Sequence, residues 1–232
     1  MRGDLSVPTD QAALLCIDLQ EEHRLDKRYL VAGFDQIIGN VRQLQQVARF
    51  SGVTVLHAAY IVESGSGASG GAKMRRFHPV MPDGSSAFSD SRNPLSAICK
   101  EVAPVGEELV FVKSEASALR KGRLADDLKR RDIDWLFICG VWTEACIDAT
   151  VKDAVDLGFH VVLIKDACGS GNETMHQTGI LNLANRLYGG AVTTTAGACR
   201  MMAGEKVDSW MVEGSVPIRY TYETAASIYD AL

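Results

Sequence analysis

Three side chains of this sequence, Asp18, Lys113 and Cys146, add up to one reaction if the fold brings them together. A thiol of ordinary pKa, about 8.5, is only a few per cent thiolate at neutral pH. A neighbouring ammonium and the free N–H groups of a helix N-terminus both favour the anion. A carboxylate beside the thiol can take its proton and pass it to a departing amine, acting first as general base and then as general acid. Attack on a carbonyl carbon then expels an amine and leaves a thioester for water to hydrolyse. The oxyanion formed on the way needs donors, and backbone N–H groups at the start of a helix, that of Cys146 among them, can supply them.

The elements that must position these groups are legible in the hydrophobic pattern. The stretch Ile133–Gly158 contains the apolar run Trp135–Val141, predicted as a buried strand, followed by a helical pattern. Thr143 is predicted to cap that helix, which places Glu144, Ala145 and Cys146 in its first turn. Ala12–Ile17 is a short apolar run closing on Asp18, and Leu109–Val112 one closing on Lys113. Further strands are predicted at Val53–Ile61, Phe159–Ile164 and Ala191–Thr194, with Asp166 after Phe159–Ile164 read as structural. Helices are predicted at Phe34–Phe50, Leu124–Arg131 and Glu173–Tyr188, with a short one within Pro94–Val102 and a terminal one over Tyr222–Leu232. Six strands alternating with helices predict an α/β fold with a six-stranded, mostly parallel sheet of Rossmann-like topology. In such sheets ligands bind beyond the carboxyl ends of the strands, where Asp18, Lys113 and Cys146 all fall.

The chain is expected to form one domain over its 232 residues, with a variable lid at about 62–108 and a tail at about 203–232. A net charge of −5 without a Lys/Arg run gives no reason to expect nucleic acid. The N-terminal residues lack a signal-peptide pattern and no apolar stretch approaches a membrane span, so a cytoplasmic protein without membrane attachment is expected. None of the six cysteines forms a CxxC pair, and Cys16 and Cys139 lie in apolar runs as small buried hydrophobes. The five histidines make no i, i+4 ligand pair, and DLQEEH after the first predicted strand is not a dinucleotide-binding glycine motif. No metal and no cofactor are expected.

On three motifs the chain resembles the isochorismatase-like cysteine hydrolases, which include nicotinamidases, N-carbamoylsarcosine amidase, biuret hydrolase and ureidoacrylate amidohydrolase. LLCIDLQ resembles the motif ending in the catalytic Asp, here Asp18. FVKSEASAL resembles the Lys motif followed by Ser-Ala and a bulky residue, here Lys113, Ser117, Ala118 and Leu119. GVWTEACIDAT resembles the nucleophile motif, here Cys146. The likeness runs from about Ala12 to Thr195. It implies a three-layer α/β/α sandwich, commonly dimeric or tetrameric, and a cis peptide bond joining Val141 to Trp142. That bond would turn the Trp142 N–H toward the same point as the Cys146 N–H to complete an oxyanion hole, with the indole walling the substrate pocket and Leu119 beside it.

Departures from the family pattern bear on the substrate. Where the first motif often continues Asn-Asp-Phe, this chain has Glu21-Glu22-His23, so an aromatic wall gives way to a hydrogen-bonding His23. The Asp-x-His of metal-binding nicotinamidases has no counterpart in HAAYIVES. Arg75 and Arg76, in KMRRFHP, are candidates for binding a carboxylate or carbonyl-rich substrate. The expected protein is a metal-independent amidohydrolase acting on a small amide, carbamoyl or ureido compound. The alternatives are a nicotinamidase-like or C–O hydrolase, and a family member that binds small molecules without turnover.

Overall fold

Strand β2 (Ala12–Ile17) is buried along its whole length because both of its faces are covered. Ala13, Leu15 and Ile17 enter one core while Ala12, Leu14 and Cys16 enter the other, the period of two that an extended chain imposes. The computed structural model describes residues 1–62, 89–121 and 123–232. Around β2 lie β3 (Thr54–Tyr60), β4 (Leu109–Lys113), β5 (Trp135–Val141), β6 (His160–Gly169) and β7 (Ala191–Thr193). All of these pair in parallel, in the order β4-β3-β2-β5-β6-β7.

Two helices cover one face of this sheet. The first is α2 (Phe34–Ser51), whose Ile37, Ile38, Val41, Leu44 and Ala48 form the inward stripe; the second is α6 (Thr195–Met202). Helices α3 (Leu124–Arg130), α4 (Asp148–Asp156), α5 (Glu173–Ala184) and α7 (Ala225–Ala231) cover the other face. A single short turn, α1 (Glu22–Leu25), follows β2. The predicted helix within Pro94–Val102 is two separate 3-10 turns, Pro94–Ser96 and Lys100–Val102.

The sheet has eight strands rather than the predicted six. Strands β8 (Val207–Trp210) and β1 (Arg2–Leu5) extend it antiparallel beyond β7, with Arg2 opposite Trp210 and Leu5 opposite Val207. Neither RGDL nor VDSW is an apolar run, because each lies toward the sheet edge with part of its length exposed. Their pairing joins residues about two hundred positions apart, which no local pattern can signal.

The strand order reverses between β2 and β5. Chain connections leave in opposite directions there, and a crevice opens at the carboxyl ends of the two strands. Gly140 makes this approach possible, with φ +121° and a position at which a Cβ would lie 2.0 Å from the Ile17 carbonyl oxygen. Since that neighbour is backbone, Gly140→Ala is expected to cost on the order of 4 kcal/mol or more, read as a lower thermal midpoint or loss of folded protein.

Candidate active site

Asp18 leaves the end of β2 in the left-handed region, φ +53°, which an aspartate tolerates better than most residues. Its N–H still reaches the Ala58 carbonyl at 2.8 Å, so the turn begins only after the last rung of the ladder. Lys113 ends β4, two strands away. Its Nζ donates to Asp18 Oδ2 at 2.7 Å and to Cys146 Sγ at 3.3 Å. The Glu115 and Ala116 carbonyls accept from the same ammonium at 3.3 and 3.2 Å, and the Tyr60 ring centroid lies 4.9 Å from it. The three predicted residues therefore meet, and all are buried: Asp18 is 3% exposed, Lys113 5% and Cys146 8%.

Cys146 sits in a π-helical turn, Thr143–Ile147, that leads into α4. Thr143 does not cap it. The Trp142 carbonyl accepts instead from Ala145 N at 3.0 Å and Ile147 N at 3.1 Å, passing over Cys146. The Thr143 hydroxyl is spent elsewhere, on the Gly169 carbonyl at 3.0 Å. The Val141–Trp142 peptide bond is cis. The Lys113 loop is tied to the same turn: Ala118 N donates to Thr150 Oγ1 at 3.0 Å, and that hydroxyl donates to the Cys146 carbonyl at 2.7 Å.

The thiol pKa moves opposite to the sequence expectation. Burial raises it first, the Asp18 carboxylate raises it further, and Lys113 offsets only part of this. Cys146 is thus held as a thiol at rest. Burial disfavours the Lys113 ammonium, but Asp18 and Cys146 outweigh that and hold its pKa above the ordinary range.

A cavity of about 210 Å³ opens over these groups, lined by Asp18, His23, Tyr29, Tyr60, Ser89, Trp142, Ala145 and Cys146. The indole Nε1 of Trp142 lies 3.3 Å from His23 Nδ1, with the Tyr29 carbonyl 3.4 Å from the same nitrogen. The indole N–H only donates and the carbonyl only accepts, so the two contacts ask for opposite His23 tautomers, and the indole contact is the shorter. Leu119 lies in the core between the sheet and α3 and does not line this cavity; Arg75 and Arg76 fall outside the described residues.

Glu22, Tyr29, Tyr60 and Ser89 were not singled out from the sequence. Tyr60 had a signal, since it stands at the carboxyl end of a predicted strand as Asp18 and Lys113 do. Glu22 had none. It is fully buried, accepts from Ser89 N at 2.8 Å and also from the Ser89 hydroxyl. Burial raises its pKa, the Ser89 bonds oppose this, and Asp18 adds to it. Backbone bonds close the adjoining strands, from Val62 N to the Ser89 carbonyl at 2.8 Å and from Ser91 N to the Val62 carbonyl at 2.9 Å.

Among the described residues, one group has ligand atoms close enough for a metal ion: Glu21, Cys99 and Glu101. The Arg24 guanidinium already occupies both carboxylates, 2.6 and 2.7 Å from Glu21 and 3.0 and 3.2 Å from Glu101. No described helix is long and apolar enough to cross a membrane.

Comparison with known proteins agrees with this fold. A family model described as the isochorismatase domain matches residues 12–197. The chain is 30% identical to maleamate amidohydrolase of Pseudomonas putida over 78% of this chain and 82% of that one. It is 25% identical to ureidoacrylate amidohydrolase of Azorhizobium caulinodans over 86% and 93%. The fold matches the crystal structure of a cysteine hydrolase from Pseudomonas syringae with a TM-score of 0.75 at 22% identity, covering 86% of this chain and 95% of that one.

Burial holds two histidines, His23 and His176, at a pKa of about 4, below the ordinary 6.5. Each binds its proton more weakly folded than unfolded. The stability they carry is therefore complete above about pH 6.5 and drains as pH falls toward 4. By pH 5 the expected loss is about 2 kcal/mol for each. Thermal midpoints at pH 7 and pH 5 check this, and His23→Gln should reduce the difference, with His57, its pKa also lowered by burial, contributing to what remains.

Proposed function

Because the chain belongs to the isochorismatase family, we propose that it is a cysteine amidohydrolase cleaving a C–N bond of a small amide, carbamoyl or ureido compound through a thioester. The observation that carries this reading is a single ammonium, Lys113 Nζ, in contact with both the Asp18 carboxylate and the Cys146 sulfur. Amidohydrolase relatives and a cavity sized for a small molecule support it.

In this reading Asp18 takes the thiol proton as Sγ attacks the carbonyl carbon. Its Oδ1 has no hydrogen-bond partner among the described residues, which leaves an acceptor free for that proton. Lys113 stays charged and offsets the thiolate while the proton is away. The N–H groups of Trp142 and Cys146 take the oxyanion. The tetrahedral adduct then expels the amine, which leaves with the proton from Asp18. Water adds to the thioester and gives a proton to Asp18, and the thiol departs with it, restoring the resting state. The His23 imidazole and the rings of Tyr29, Tyr60 and Trp142 orient the substrate.

Ammonia or amine release is to be measured across carboxamides, half-amides of dicarboxylic acids, carbamoyl amino acids, ureides and nicotinamide. Cys146→Ala should bring release to background. Release that survives in Cys146→Ala would sink the thiol mechanism. No release from any compound, with the same compounds binding the unaltered protein and Cys146→Ala alike, would favour a binding protein.

Asp18→Asn separates the two roles given to the carboxylate. Without the Asp18 charge the thiol pKa falls, so Cys146 should alkylate faster with iodoacetamide at pH 7 than in the unaltered protein. Amide turnover should nonetheless fall by about 10² to 10⁴ for lack of the proton carrier. Parallel loss of both activities would show that Asp18 acts on the fold rather than on the proton.

A further inference from the structure

Three residues before Cys146, the Thr143 hydroxyl begins a hydrogen-bonded chain that leads away from the π-helical turn and ends on α7. Thr143 Oγ1 lies 2.8 Å from His176 Nδ1 on α5, and His176 Nε2 lies 3.0 Å from the Tyr229 hydroxyl on α7. The sense of this chain follows from its far end. The Gly169 carbonyl can only accept, so Thr143 spends its one proton there, at 3.0 Å. His176 Nδ1 must then donate to Thr143 Oγ1, which leaves a lone pair on Nε2 and makes Tyr229 the donor to it. The Lys165 backbone also bonds the imidazole, and donation from Tyr229 to Nε2 is what favours the Nδ1–H tautomer over its alternative.

The packing leaves this chain little room to rearrange. At Gly179 of α5 a Cβ would lie 2.8 Å from Thr143 Cγ2 and 3.5 Å from Glu144 N, so the helix carrying His176 bears directly on the nucleophile turn. At the other end Lys165 Nζ donates to the Tyr229 carbonyl at 2.8 Å and stands 4.7 Å from the centre of its ring. Arg2 Nη1 donates to the Leu232 carbonyl at 2.9 Å. Cations at the carbonyl end of α7 thus dock a seven-residue helix that propensity alone would not hold.

We infer that Tyr229 is a positioning residue for the nucleophile turn: through His176 it keeps Thr143 bonded to Gly169, which fixes the turn that carries Cys146. This rests on the amidohydrolase reading for its effect on turnover, but not for its effect on the imidazole or on the thiol. Without the Tyr229 hydroxyl, the Nε2–H tautomer of His176 becomes available. Nδ1 then competes as an acceptor for the Thr143 proton, and the Gly169 bond is lost in that fraction of molecules.

Long-range ¹H–¹⁵N correlation spectra of the His176 ring, run with Tyr229→Phe, Thr143→Val and Thr143→Ser, test this. The unaltered protein should show Nδ1 protonated and Nε2 bare, and Tyr229→Phe should shift population to the other tautomer. Cys146 alkylation should slow or become heterogeneous in Tyr229→Phe. On the best substrate, kcat should fall on the order of tenfold to a hundredfold. KM should stay within about twofold, since Tyr229 does not line the cavity. Thr143→Val should reproduce the loss and Thr143→Ser restore it, while Tyr229→Phe added to Thr143→Val should cost nothing more. An Nε2–H tautomer in the unaltered protein would overturn the inference. So would a folded Tyr229→Phe, judged by an unchanged thermal midpoint, with unaltered alkylation and kcat. Should Tyr229→Phe fail to fold, the two Thr143 variants decide. An unaltered protein that turns over no amide would count against the amidohydrolase reading alone, because tautomer and alkylation still judge the relay.

Discussion

A lysine ammonium placed almost out of reach of water must be answered by an anion and by acceptors for its protons, and the upper edge of this sheet is arranged to answer it. Lys113 has Asp18 Oδ2 at 2.7 Å and the Glu115 and Ala116 carbonyls near 3.2 Å. Asp18 and Lys113 stand on strands that do not touch; β3 lies between them. The pair therefore forms only if three strands end in step, with Ile17 beside Ala58 and Tyr60 beside Lys113. Tyr60 closes the gap between them with its ring. Removing either charge would leave the other buried and unmatched, the expensive way to break such a pair. Register, sheet order and the site are thus one constraint seen at three scales.

The same pair explains why the thiol keeps its proton. Asp18 and Lys113 together are close to neutral, so a thiolate added to them would be a net buried anion. Burial and the carboxylate both resist it. In the proposed mechanism, a thiol held this way reacts only while a proton acceptor and a carbonyl carbon are both in place. The protein gains selectivity of reaction at the expense of a standing thiolate, which would be open to any electrophile entering the cavity.

Around this centre, polar side chains act as structural ties. Gln20 is fully buried and bonds the Tyr60 and Ser96 carbonyls at 3.0 and 2.9 Å while accepting from Tyr60 N at 3.1 Å. Arg24 holds Glu21 to Glu101. Asp166, read from the sequence as structural, accepts from Thr195 N at 2.6 Å and its hydroxyl at 2.8 Å, holding the start of α6. Apart from the Glu21–Arg24 pair, three residues apart, these partners come from distant parts of the chain, and burial of a polar group demands that a partner be found.

The sequence by itself determined the parallel α/β core and the three side chains that meet at its upper edge. Apolar runs such as Ala12–Ile17 and Trp135–Val141 can be buried on both faces in only a few ways, and parallel sheets place strand ends on one edge. Residue type alone then says that a carboxylate, an ammonium and a thiol on that edge can move a proton and attack a carbonyl. Tertiary structure decided the rest. QEEHR after Asp18 carries no periodicity, yet Gln20, Glu22 and His23 are buried because residues 60, 89 and 142 come to meet them. Strand β1 exists only as the partner of β8, which itself pairs with β7. The Thr143 hydroxyl, a capping group by local rules, is claimed instead by Gly169 and His176. Local sequence states what a side chain offers; which offer is taken depends on the donors and acceptors that folding brings within 3 Å, and those come from anywhere in the chain.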